Sequence, residues 1–391
     1  MTSLRRVPAL ASRALTIATW CGLFGIVPAG WAQGTLITIH TFSGPDGAYS
    51  HAPLVRDRTG NLYGTTAGGG AFNDGTVFKV DTSGNESVLF SFTGKRDGGN
   101  PRSGLLLDGT GNLYGITAGG GLGFGQGGVL FKLTPSGRLI ILHSLSTSDG
   151  AGSASGLLRD SVGNLYGTTE SGGAHGQGAV FKLDPSGNYS ILHSFTGRNG
   201  DGSEPFAGLV RDAAGNLYGT TFMGGAFSLG TVFKIDALGN ESILHSFAGG
   251  GDGTYPSSTV VLDSAGNLYG TTDAGGTYNL GTIFRIDSSG NESILHTFGA
   301  TDDGASPFVG LVRDKSGNLY GVTDGGGENR HGSVFKVDSS GNETVLYSFT
   351  GGPDGARPEA ALLLDAAGNL CGTTLDRGKN GVGTVFRVRL Q

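Results

Sequence analysis

The sequence predicts an all-β protein, a seven-bladed β-propeller. Three observations predict it. One unit of 51 or 52 residues recurs seven times, each unit holds four short apolar runs joined by turn sequences, and the two chain ends supply complementary parts of a single unit. Composition agrees. Of 391 residues, 76 are Gly, so long helices are nearly excluded, because Gly costs about 1 kcal/mol per helix-interior position relative to Ala. Only 12 Pro are present, and the glycines do not fall every third residue, which excludes collagen. Aromatics at 9% and a net charge of −6 speak against disorder.

The repeat is marked by Gly-Asn-Leu-Tyr-Gly, beginning at Gly60, Gly111, Gly163, Gly215, Gly266 and Gly317, with a seventh copy at Gly368 that carries Cys371 for Tyr. The first unit gives the parse. Strand a is 54–57, strand b 61–66, strand c 76–81 and strand d 86–92. The a–b and c–d turns share the form Asp-x-x-Gly-Asn. Asp initiates a turn by bonding nearby backbone, and Gly supplies a positive φ. Both are therefore expected to be hairpins. Alternation within the strands is weak, since Val77 and Phe78 are both apolar, as are Val88, Leu89 and Phe90. Such sheets should be covered on both faces, as in a ring of radially packed blades.

The ends fix the closure. The last unit stops after strand c, at Thr384-Val385-Phe386-Arg387-Val388, and lacks a strand d. Residues 35–42, Thr-Leu-Ile-Thr-Ile-His-Thr-Phe, precede any strand a and match the strand d at 293–298. If 35–42 complete the seventh sheet, the ring closes and no open edge remains. A β-helix is the alternative, disfavoured by two hairpin turns per unit and by the unit's length. Residues 33–391 thus read as a single propeller.

Residues 1–32 read as a secretory signal. Arg5, Arg6 and Arg13 precede an apolar stretch from Leu15 to Val27, and small residues stand at −3 and −1 of a cut after Ala32. Cleavage would leave 23 basic and 32 acidic residues, net −9, no Trp, and Cys371 as the sole cysteine. An acidic mature chain argues against a nucleic-acid partner, and no other apolar segment is long enough to span a membrane. A secreted, extracellular or periplasmic monomer is expected, with the export route left open between general secretion and twin-arginine.

Gly-Asn-Leu-Tyr-Gly-Thr-Thr followed by Gly-Thr-Val-Phe-Lys resembles the GloVer tandem repeat of bacterial "choice-of-anchor" surface and secreted proteins, over essentially residues 35–390. The resemblance implies a bacterial exported protein of uncharacterised activity and carries no catalytic residues. Relatives often end in an anchoring tail. This chain ends at Gln391, just after strand c, and so looks like a freely secreted or periplasmic version. The blades are also similar to NHL-type and lactonase-type propeller repeats.

Features common to all units read as scaffold, since one active site needs one constellation. The Asp ending strand a is a turn residue, Gly64 and its equivalents leave space for a neighbouring aromatic or backbone, and Phe78 with its counterparts fills the interface between sheets. His40, His143, His193, His245 and His296 share a strand-d slot that elsewhere holds Phe90 or Tyr347, so they read as filler. The Asp-Gly of each d–a loop reads as a turn, although seven such acids on one rim could hold a divalent cation weakly.

Function is expected on the face formed by the b–c and d–a loops, where the units differ. One b–c position carries Glu170, Asp273 and Asp324 in units 3, 5 and 6, with His175 and His331 nearby. Carboxylates with His suit ligand, metal or acid–base chemistry. No nucleophile elbow, zinc-protease pair, phosphate loop or Cys cluster is present. Two readings follow: a binding module for a glycan, peptide or surface partner, or a secreted hydrolase, lactonase or lyase at the channel mouth. Catalytic residues and cofactors are not specified by the sequence.

Overall fold

Turn chemistry sets the first level of order. In the computed structural model, which describes residues 34–122, 127–153, 155–299 and 302–390, Asp57 Oδ1 accepts from the backbone N–H groups of Thr59 and Asn61, both at 2.9 Å. Its Oδ2 accepts from Asn61 Nδ2 at 2.7 Å and from the Tyr63 hydroxyl at 3.0 Å. One carboxylate thereby closes the a–b hairpin and anchors the aromatic ring of strand b. Asp81 does the same for the c–d turn through Ser83 and Asn85. The signal segment expected at 1–32 lies outside the described residues.

These hairpins build seven four-stranded antiparallel sheets, each in the order a-b-c-d. In blade 1 the strands are Val55–Arg56, Leu62–Thr66, Thr76–Val80 and Glu86–Ser91. Strand a is shorter than the sequence suggested, because the Asp57 N–H is already committed to Asn61 O within the turn, at 3.0 Å. In blade 7 strands a to c are Leu363–Leu364, Leu370–Thr374 and Thr384–Arg389. The fourth is Thr35–Thr41, running antiparallel to strand c from Thr35↔Arg389 to Thr41↔Thr384. The N-terminal strand closes the ring, as the chain ends implied.

The core is divided among the gaps between blades. Seven apolar clusters each join two neighbouring sheets, including one that joins blade 7 to blade 1 through Phe42, Phe78, Cys371 and Val385. Val77 belongs to the gap on one side of its sheet and Phe78 to the gap on the other, which explains the weak alternation. Phe42 meets Phe78 edge-on with centroids 5.1 Å apart, and the same pairing recurs at five further gaps. Each pair adds about 0.5–1.5 kcal/mol beyond its burial. Strand b needs Gly64 because a Cβ there would stand 2.6 Å from Phe78 Cζ.

The strand-d histidines are more than filler. His40 Nε2 lies 3.0 Å from Asp46 Oδ2, and the other four meet the acid of their following d–a loop at 2.9–3.4 Å. Each of these acids also accepts a backbone N–H at the start of its loop, as Asp46 does from Ser43 at 2.7 Å. A Tyr347 hydroxyl donates to Asp354 in the same way, at 2.9 Å.

Candidate functional site

The d–a and b–c loops are tied together before any ligand is considered. Gly202–Ser203 pairs with Met223–Gly224, and Gly304–Ala305 with Gly325–Gly326. The other five blades carry the equivalent bridge, for example Ala48 with Gly68. The residue that follows on each d–a loop is left-handed in all seven blades. It is Gly only at Gly152; elsewhere it is Tyr49, Asn100, Glu204, Tyr255, Ser306 or Arg357, at φ between 53° and 60°. A side chain held there costs about 1–2 kcal/mol. The chain uses Gly at most other left-handed positions, so keeping six side chains here marks this ring as more than a turn.

Two residues further on, the d–a loops of the six blades described at this position reach the propeller axis. These segments enclose a cavity of about 270 Å³. Its wall carries His51, Arg102, Phe206, Ser257, Phe308 and Glu359, with Glu170 reaching in from a b–c loop. Small residues, among them Gly104, Gly156, Gly208 and Gly310, narrow it beneath. At the other end of the axis a hollow of about 650 Å³ is lined mainly by aliphatic residues of and beside strand a, such as Val261, Val312 and Leu363.

The cavity is chemically two-sided. At blades 6, 7 and 1, Arg357 Nε donates to Asp324 at 3.0 Å and its Nη2 donates to Glu359 at 2.7 Å. His51 Nδ1 lies 2.9 Å from the other oxygen of Glu359. Burial raises Asp324, the Glu359 charge adds to this, and Arg357 opposes both, leaving Asp324 at about 6. Burial also pushes Glu359 upward, but His51 and Arg357 more than offset it and hold Glu359 below the usual range. Neighbouring carboxyls are thus driven apart in acidity, the arrangement that separates a proton donor from an ionised acceptor. Across the axis, Phe206 meets Phe222 edge-on at 5.2 Å, and Phe222 stacks on Tyr255 at 5.0 Å.

The five residues singled out in the sequence are distributed unevenly. Glu170 lines the cavity, raised by burial and by Glu204, with Arg102 opposing. Asp324 stands one contact behind the wall, on Arg357. Asp273 is half-buried, raised by burial against a hydrogen bond from Ser306. His175 is exposed and His331 sits against Gly351 of an outer loop; neither lines the cavity. Sequence reasoning overlooked Arg102, Arg357 and Glu359. The signal was available, since comparing units at the d–a position of His51 yields a different side chain in nearly every blade.

Among the described residues no helix is long and apolar enough to cross a membrane. The model of the Gloeobacter/Verrucomicrobia repeat matches residues 19–213 and 187–386. No curated protein matches the chain. Two structures of the extracellular domain of BT4673 from B. thetaiotaomicron are similar in fold, with TM-scores of 0.58 and 0.60 at 14% and 11% identity. They cover 91% and 90% of this chain, which spans only 42% and 39% of theirs. XC5397 from Xanthomonas campestris, a gluconolactonase, is similar at 14% identity with a TM-score of 0.46, covering 92% of this chain and 90% of that one.

Proposed function

From the premise that this chain belongs to the Gloeobacter/Verrucomicrobia repeat family, we propose that it is an exported binding module whose axial cavity takes the terminal sugar unit of a glycan. The observation that carries the reading is the concentration of blade-specific chemistry at one end of the axis, on a scaffold otherwise nearly uniform. A volume of about 270 Å³ suits one small ring rather than a folded partner. Its two sides suit a sugar: Phe206 and Phe308 offer apolar faces, while Glu359, Glu170, Arg102 and Ser257 offer acceptors and donors for hydroxyls. Export rests on the sequence of residues 1–32.

Titration calorimetry of the mature chain against a panel of mono- and oligosaccharides tests this. Binding is expected to be lost in Phe206→Ala and in Glu359→Gln, and to survive Asn85→Ala on the opposite face. Loss on Asn85→Ala with retention in the two cavity variants would place the ligand elsewhere. A second reading is favoured by one observation, the split acidity of Asp324 and Glu359 beside His51: a secreted hydrolase, lactonase or lyase acting at this mouth. Turnover of a lactone or glycoside that disappears in Asp324→Asn while sugar binding persists would favour it.

A further inference from the structure

Three boundaries between blades gather a histidine and two carboxylates: His40, Asp46 and Glu86 at blades 7/1; His193, Asp201 and Glu241 at 3/4; His245, Asp252 and Glu292 at 4/5. In each, one ligand atom from every residue lies within 4.8 Å of the others. The histidine comes from strand d of one blade, the aspartate from the connecting d–a loop, and the glutamate from the start of strand d of the next.

Two further observations point to a ligand. First, Oε1 of Glu86, Glu241 and Glu292 is shielded from solvent yet has no hydrogen-bond partner. A buried polar atom without a partner is costly, and here the cost recurs at equivalent positions. Second, the glutamate is found only opposite a histidine: Glu86, Glu241, Glu292 and Glu343 match His40, His193, His245 and His296. Where the histidine slot holds Phe90 or Tyr347, the matching glutamate position holds Leu139 or Leu36. One histidine, His143, faces Tyr189 instead, stacks on it and meets only its aspartate, Asp149.

We propose that each of these three boundaries binds a divalent transition-metal ion, zinc being the best fit, through one imidazole nitrogen and two carboxylates. Imidazole with carboxylate suits zinc better than calcium, which takes oxygen ligands. Bonds of about 2.0–2.2 Å in a tetrahedral shell set ligand atoms about 3.4 Å apart. The His–Asp separations of 3.0, 3.4 and 2.9 Å are already near this value, and a side-chain rotation of the glutamate completes the set. Three protein ligands leave a fourth position for water. With neutral imidazole, the two carboxylate charges match the charge of the ion. His40 and Asp46 remain 18% and 20% exposed, so a hydrated ion can enter.

The test uses the mature chain stripped with a chelator and then equilibrated with zinc or calcium, bound metal being counted by elemental analysis. Zinc is expected to bind and to raise Tm, with calcium doing neither. The double variant His40→Phe/Glu86→Leu installs the pair already present between blades 1 and 2, so it should fold; it is expected to lose one zinc equivalent. Glu86→Gln is expected to lose the same equivalent with less change in packing. Unchanged zinc stoichiometry in both variants overturns the proposal, as does a wild-type chain that takes up no zinc at micromolar free metal. Far-UV circular dichroism of each variant serves as an independent measure of folding.

Discussion

His51 and Glu359 are 308 residues apart in sequence, yet His51 Nδ1 lies 2.9 Å from Glu359 Oε2. The contact joins the first blade to the last, so one side of the axial cavity exists only when the ring is shut. Ligand binding and ring closure are therefore expected to fail together.

Deleting residues 35–42 removes the outer strand of blade 7 and exposes the edge of Thr384–Arg389. The expected outcome is aggregation or a clear fall in Tm in scanning calorimetry. Removing a similar length from one b–c loop should have a much smaller effect, and equal effects would count against closure as the source of stability.

Asp324 gives a pH signature. Its folded pKa of about 6 exceeds its unfolded value, so the folded state holds the proton more tightly. Its contribution favours folding at low pH and declines as pH rises from about 4 through about 6. The carboxyl carbon of Asp324 should titrate near 6 by NMR and move downward in Glu359→Gln. A midpoint near 4 in the wild-type protein would refute the assignment.

The turn aspartates behave in the opposite sense. Burial pushes Asp160 upward, but hydrogen bonds from the Asn164 side chain and backbone and from Tyr166 outweigh it and hold it at about 2. Its stabilisation is present above the unfolded carboxylate value of about 3.9 and is lost as pH falls toward 2. Asp160→Asn should flatten that acid limb. At pH 7 it should cost about 1 kcal/mol, roughly 1–2 °C in Tm for a propeller of this size. A melt at pH 7 that matches wild type would show the turn to be indifferent to the charge.

Gly64→Ala should destabilise by about 1–3 kcal/mol through overpacking, since the new methyl would meet Phe78 Cζ at 2.6 Å and Leu54 Cδ2 at 2.9 Å. Gly109→Ala meets nothing within 4 Å and should stay within about 0.5 kcal/mol of wild type. Urea denaturation of the two variants separates the cases.

Much of the scaffold was legible in the sequence because it is local or repeated. The Asp57 turn spans five residues, and the Gly64–Phe78 fit recurs in every unit, so seven copies restate each rule. Glu170 and Asp324 could be singled out because they break the repetition. What could not be read was their company. Arg357 lies 33 residues from Asp324 and Glu359 lies 308 from His51, and such pairings depend on how blades converge at the axis. The histidine slot was misjudged for a related reason. Phe90 shows that the slot tolerates a ring, but only the neighbouring loop reveals that an imidazole there meets Asp46 or its equivalents.

The closing strand also sets a timetable. Thr35–Thr41 is among the earliest parts of the propeller to be made, yet its partner Thr384–Arg389 follows roughly 350 residues later. At about 5–20 residues per second, the segment waits about 20–70 s for its place. Throughout that interval it is a stretch of Thr, Leu and Ile with one histidine, His40, no acid and no Lys or Arg, with strong strand-forming tendency, and so able to pair with the same stretch of another molecule. Synthesis from the opposite end would spare the protein this hazard. In a circularly permuted chain that begins at residue 43 and appends 35–42 after residue 390, the two strands would emerge almost together.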